Sequence, residues 1–92
     1  MTTTTFEAFK ALKSSEGYDE VLVREWAADA VADWHEHPFD ADALVVKGEF
    51  WLTRDGVTTH LQPGDVFQVP RGVRHREQYG PQCAVFWAAR RN

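Results

Sequence analysis

From Gly17 onward the chain is cut into short runs by turn-forming residues. Gly17, Asp29, Pro38, Gly48, Asp55-Gly56, Pro63-Gly64 and the Pro70–Gly72 segment recur too closely for long helices to fit between them. The runs they separate are rich in Val, Leu, Phe and Trp, and several alternate. In "YDEVLVREWA", Val21, Val23 and Glu25 fall on one face and Leu22, Arg24 and Trp26 on the other. "AVADWHEH", "ADALVVKG", "EFWLTRDG", "VTTHL", "VFQVP", "RHREQYG" and "CAVFWAAR" continue the series. Asp55-Gly56, set between two such runs, predicts a hairpin. Short strands with regularly spaced turns predict an all-β domain, a two-sheet sandwich or a closed barrel.

Only the first segment departs from this pattern. Phe6, Phe9 and Leu12 repeat at helical spacing in "FEAFKALKSSEG", and Gly17 supplies a stop. One of Thr2–Thr5 is expected to cap this short helix while the others fray. The organisation read from the sequence is therefore an N-terminal arm and helix over residues 1–17, then a single domain over 18–92.

Composition excludes several classes. A chain of 92 residues suffices for one core, and 43% apolar and 13% aromatic residues argue for a folded domain. The net charge of −4 disfavours nucleic acid and anionic membranes as partners. The basic spots at Arg71, Arg74 and Arg76 and at Arg90 and Arg91 read as solvated surface. The opening stretch is charged and lacks an apolar core, and no run approaches the ~20 apolar residues of a membrane span, so the expected location is the cytoplasm. The one cysteine, Cys83, cannot form an internal disulfide, and its apolar surroundings predict a buried thiol.

The chemistry concentrates in two segments. In "WHEHPFDADALVVKGE", His35 and His37 are spaced to share one face of a strand, where two imidazoles can grip one metal ion. In "GDVFQVPRGVRH", Pro70 and Gly72 form a tight turn after a short strand, and His75 opens the next. If that strand lies beside the first, three imidazoles converge, a donor set suited to zinc, iron, nickel, copper or manganese with open coordination positions. His60, in "VTTHL", is expected to face solvent and not to be a ligand.

These two segments resemble the motifs of the cupin superfamily, in particular the small single-domain cupins with a type-2 conserved barrel. His35, His37 and Gly48 match the first motif, and Gly64, Pro70, Gly72 and His75 match the second in full spacing. The gap between motifs, residues 49–63, is short for the family. The resemblance covers roughly residues 18–90 and implies a small double-sheet jelly-roll β-barrel with one short N-terminal helix. It implies one divalent transition metal ion (Zn, Fe, Ni or Mn) held by His35, His37 and His75, and a small-molecule ligand or substrate.

Three positions depart from the pattern. Ala30 or its neighbours replace the leading glycine, and Tyr79 stands where the second motif has Asn. Ala41 occupies the place of the family's glutamate ligand. Asp40 or Asp42 could substitute if a bulge after Pro38 turned one inward. Otherwise water or substrate would complete a three-histidine site. Glu77 shares a face with His75 and is a candidate to orient it. Phe67, Val69, Val85 and Trp87 are expected to line the core or a pocket, with Gln68, Arg74 or Tyr79 as possible polar handles.

Three functional readings follow: a small metalloenzyme with dioxygenase- or isomerase-like chemistry, a non-catalytic metal-dependent sensor of a small ligand, or a metal-free structural cupin. A homodimer is expected, because such sheets leave edges to cover, with contact through the N-terminal segment and the Val21–Trp26 strand.

Overall fold

The computed structural model of the protein describes residues 4–92. One helix, α1 (Phe6–Ser15), precedes eight strands: β1 (Glu20–Trp26), β2 (Val31–His35), β3 (Asp40–Lys47), β4 (Phe50–Arg54), β5 (Val57–Leu61), β6 (Val66–Val69), β7 (His75–Tyr79) and β8 (Ala84–Arg91). Thr5 is the helix cap, its side-chain oxygen accepting the Ala8 N–H at 3.1 Å. Of the segment expected to fray, Thr2 and Thr3 lie outside the described residues.

The strands form two antiparallel four-stranded sheets, ordered β1-β8-β3-β6 and β2-β7-β4-β5. This is a double-sheet jelly roll. Among the described residues no strand pairing joins one sheet to the other, so the two sheets face each other as a sandwich and the expected barrel stays open. Register fixes what points inward. Ala88 lies opposite both Leu22 and Ala43, and Phe86 opposite both Arg24 and Val45. On the second sheet Phe50 lies opposite Tyr79, and Glu77 is flanked by Leu52 and Ala32. Phe50, Val45, Tyr79 and Ala84 are all but inaccessible, and with Leu52, Leu61, Val69 and Phe86 they make the core.

The inward set differs from one sequence expectation. Phe67 and Val69 do face the core, but Val85 and Trp87 sit on the outer face of the first sheet. There the Trp87 ring meets Phe6 and Phe9 at centroid distances of 5.7 and 5.8 Å, which explains where α1 docks. Parity within β8 decides this, since Ala84, Phe86 and Ala88 hold the inner positions. Cys83 is also not buried as expected: it precedes β8 in the turn and is exposed, while burial begins at Ala84.

Gly48, the last residue of the first motif, has a packing reason. It takes φ +73° between β3 and β4, and a Cβ there would lie 2.5 Å from the Cys83 carbonyl oxygen. Only glycine lets the β3–β4 turn press on the start of β8. Among the described residues no helix is long and apolar enough to cross a membrane.

Candidate metal centre

The three motif histidines converge. His35 ends β2 and lies directly opposite His75, the first residue of β7, so strand register alone brings two imidazoles together. A bulge between Ala32 and His35 shifts the register just before the site, as bulges near functional sites often do to re-aim a side chain. His37 lies beyond the strand, in the β2–β3 connection, rather than on one strand with His35. Its carbonyl accepts the Gly72 N–H at 3.0 Å, so the Pro70–Gly72 turn of the second motif holds the end of the first. Ring centroids are 4.2 Å apart for His35 and His75, 4.9 Å for His35 and His37, and 5.0 Å for His37 and His75. One nitrogen from each ring lies within 4.8 Å of the others.

The tautomers suit metal capture. The Nδ1 of His35 faces the Asp33 carbonyl, and the Nδ1 of His75 faces the Val73 carbonyl at 3.0 Å. An Nδ1–H donated to a carbonyl leaves the Nε2 lone pair free, the usual arrangement of a metal-ligating imidazole. His37 stacks on Phe39 with centroids 4.6 Å apart. Burial first, then His75, His35, Arg90 and Arg24, lowers the His37 pKa to about 4, so this ring is neutral at physiological pH. Three histidines are thus positioned to bind a metal, and the chemistry of the donor set fits one.

A carboxylate stands beside them. Glu77, 6% exposed, places Oε2 3.6 Å from His35 Nε2 and 3.8 Å from His75 Nε2. Its Oε1 accepts the Tyr79 hydroxyl at 2.8 Å. Tyr79 is itself clamped between Trp26 and Phe50, with ring centroids 5.0 and 4.9 Å away. Burial, and then the charge and hydrogen bond of Glu77, raise the Tyr79 pKa, so the hydroxyl remains a donor. The residue that replaces the motif's Asn therefore anchors Glu77.

Asp40 and Asp42 are elsewhere. Asp40 accepts the Arg71 N–H at 2.8 Å and ties down the Pro70–Gly72 turn. Asp42 accepts Lys13 Nζ at 2.8 Å, Gln68 Nε2 at 3.1 Å and the Tyr18 hydroxyl at 3.4 Å, beneath α1. No bulge turns either inward, because β3 pairs with β6 and β8 in unbroken register through this stretch. Parity leaves Ala41 facing the cavity. The signal for Glu77 was present in its spacing from His75, but the sequence could not show that His35 would lie opposite His75 with its Nε2 3.6 Å from the Glu77 carboxylate.

His60 is exposed on the outer face, stacked on Trp51 at 4.6 Å and bonded to Glu49 at 2.9 Å. Of the expected polar handles, Gln68 turns outward to Asp42, Arg74 is exposed, and Tyr79 is buried in the core and reaches the site only through its hydrogen bond to Glu77. The histidines and Glu77 open into a cavity of about 330 Å³ between the sheets, within the usual range for small-molecule sites. Its opposite wall carries Arg24 and Arg90, and Arg90 therefore departs from the solvated surface expected of it.

The profile of the family described as "Cupin domain" matches residues 22–79, more than half of the chain, and the chain belongs to that family. No curated protein matches the sequence. Solved structures agree on the fold. The cupin domain of Cnp3 from Schizosaccharomyces pombe is 19% identical with a TM-score of 0.72, over 78% of this chain and 54% of that one. The DMSP lyase DddQ from Ruegeria pomeroyi is 22% identical with a TM-score of 0.72, over 78% of this chain and 37% of that one. KdgF from Halomonas sp. is 26% identical with a TM-score of 0.67, over 78% of this chain and 68% of that one. The chain thus spans about half of the first of these proteins and little more than a third of the second.

Proposed function

We propose that this chain is a metal-dependent cupin enzyme that holds one divalent transition ion, zinc, iron, nickel or manganese, on His35, His37 and His75 and acts on a small molecule in the adjoining cavity. The observation that carries this reading is the convergence of three imidazole nitrogens within 4.8 Å at the floor of an open cavity. A bound ion would supply Lewis acidity to an oxygenated substrate or a site for dioxygen. The chain's own groups do the rest. Main-chain carbonyls fix the rings of His35 and His75, and the Tyr79 hydroxyl holds Glu77 with one oxygen turned to them. Glu77 is the carboxylate in reach of the site, and we assign it the place beside the ion that the family's glutamate would otherwise take. Isomerase- or dioxygenase-like turnover fits this open arrangement. The fold is shared with the DMSP lyase DddQ from Ruegeria pomeroyi, which supports an enzymatic reading.

The finer parts of the reading are location and assembly. We place the chain in the cytoplasm, where the exposed Cys83 thiol would stay reduced. The outer edge of β1, with Val23 47% exposed, supports a homodimer, and a monomeric sedimentation profile at micromolar concentration would refute it.

The test is elemental analysis of untagged protein beside His35→Ala and His75→Ala. Near-stoichiometric metal in the parent, lost in both variants, is the expected result. No metal after reconstitution with each candidate ion would leave the metal-free structural reading instead. Turnover of small oxygenated substrates by the loaded parent separates an enzyme from a sensor.

A further inference from the structure

The cavity is electrically lopsided. The chain carries a net charge of −4, yet the cavity gathers two guanidinium groups, Arg24 and Arg90, against one carboxylate, Glu77. Glu77 is committed to the other wall, one oxygen bonded to Tyr79 and the other turned to the imidazoles. Among the described residues the Arg24 guanidinium makes no hydrogen bond and no ion pair, although its backbone pairs within the β1–β8 ladder. It packs near the Trp26 ring, its Cζ 5.7 Å from the centroid. Arg90 lies over the Phe39 ring at 4.6 Å, and its nearest carboxylate, the half-exposed Glu20, is 3.7 Å away. Both arginines are inward-facing by register, Arg24 opposite Phe86 and Arg90 opposite Ala41. Half-buried guanidinium groups on aromatic faces, without bidentate carboxylate partners, form a ready receiver for a planar anion. The rest of the wall is apolar, with Phe67, Phe86 and Ala88 along it.

We propose that this cavity takes a small organic carboxylate, its carboxylate group held by Arg24 and Arg90 and its apolar body resting on Phe86 and Phe67. This rests on the reading of the cavity as the small-molecule site, and it names the substrate class. A divalent ion on the histidines would add positive charge and strengthen the same preference. An acidic protein with a locally positive cavity also attracts small anions at the point of entry.

The experiment is calorimetric titration of metal-replete protein with propionate, pyruvate and benzoate, each against its own amide, and with inorganic phosphate. The same titrations are made on Arg24→Gln and Arg90→Gln, with metal content and circular dichroism measured alongside. At least one carboxylate binds tenfold or more tighter than its amide. Each arginine variant loses tenfold or more of that affinity, with metal content and fold retained. Added salt weakens carboxylate binding and leaves amide binding unchanged. Equal affinity for every acid and amide, no binding of any of them, or unchanged acid binding in both variants would overturn the proposal. Phosphate bound as tightly as the best acid would overturn its organic half. Arginine-dependent acid binding in a protein that takes up no metal would leave this proposal standing and sink the metal reading. Full metal uptake without acid preference would do the reverse.

Discussion

Replacing Tyr79 by Phe isolates the bond that joins the core to the site. Tyr79 is 1% exposed, and its ring stacks between Trp26 and Phe50. Phenylalanine keeps those contacts and leaves no cavity larger than one oxygen. What it removes is the 2.8 Å hydroxyl donor to Glu77, whose carboxylate stays buried at 6% exposure. Loss of one charge-assisted hydrogen bond from a buried acceptor destabilises by about 1.5–3 kcal/mol. For a domain of this size that lowers Tm by roughly 10 °C. Freed of its anchor, Glu77 no longer presents Oε2 to His35 and His75, and metal affinity falls about 10–100-fold, the usual effect of losing an outer-shell partner. Urea unfolding of metal-free protein measures the first effect and competitive chelator titration the second. A cycle with Glu77→Gln separates them, since the Tyr79→Phe penalty in metal affinity should shrink once the carboxylate is gone. If Tyr79→Phe unfolds at the parental urea midpoint and binds metal as tightly, the role given to the Tyr79–Glu77 pair is wrong.

Three further outcomes follow from the packing and the charges. Gly48→Ala should destabilise by about 3 kcal/mol, combining left-handed strain with a forced shift of the Cys83 backbone, and a urea midpoint within error of the parent would refute the close approach. Metal-free protein should lose stability as pH falls from 6.5 toward about 4, because His37 has its pKa depressed on folding and the unfolded chain therefore takes up the proton first. That contribution is fully present above 6.5, and in His37→Gln the loss over this window should be smaller than in the parent. Asp42→Ala should destabilise the α1 contact by releasing Lys13, yet leave metal content unchanged, as should His60→Ala. Metal loss in either, matching His75→Ala, would place a ligand where the structure has none.

Much of this was legible in the sequence because local chemistry dictates it. Asp55-Gly56, Pro63-Gly64 and Pro70–Gly72 fix turns, the runs between them alternate, and the histidine spacings survive into the site. What the sequence hid depends on which face of a strand turns inward and on what lies across from it. Val85 and Trp87 are as apolar as Phe86, and only the burial of Ala84, Phe86 and Ala88 on the other face of β8, with α1 docked on Trp87, shows that they face outward. Cys83 reads as part of an apolar run, but the chain is still turning there. Arg24 and Arg90 look like ordinary surface charges, separated by 65 intervening residues (25–89), until antiparallel pairing of β1 and β8 sets both on one wall. Asp40 and Asp42 flank the expected ligand position, yet unbroken register keeps them out.

Ala41 connects the relocated carboxylate to the arginine wall. It lies directly opposite Arg90 across the β3–β8 ladder and faces the cavity. Side chains so placed are within about 5 Å at Cβ, so a glutamate at this position would be in reach of the Arg90 guanidinium as well as the histidines. On the proposed reading, alanine at 41 leaves Arg90 free for a ligand carboxylate, while Glu77 supplies the negative charge from the opposite sheet. Ala41→Glu should therefore pair with Arg90 and weaken binding of the preferred carboxylate at least tenfold, with metal content undiminished. In a Glu77→Gln background the same substitution should restore chelator-resistant metal binding, since it returns a carboxylate to the histidines. The two readouts are calorimetry with the preferred acid and elemental analysis after chelator challenge. Unchanged acid affinity in Ala41→Glu would mean that Arg90 does not hold the ligand. Failure to recover metal in the double variant would mean that position 41 does not reach the ion in this chain.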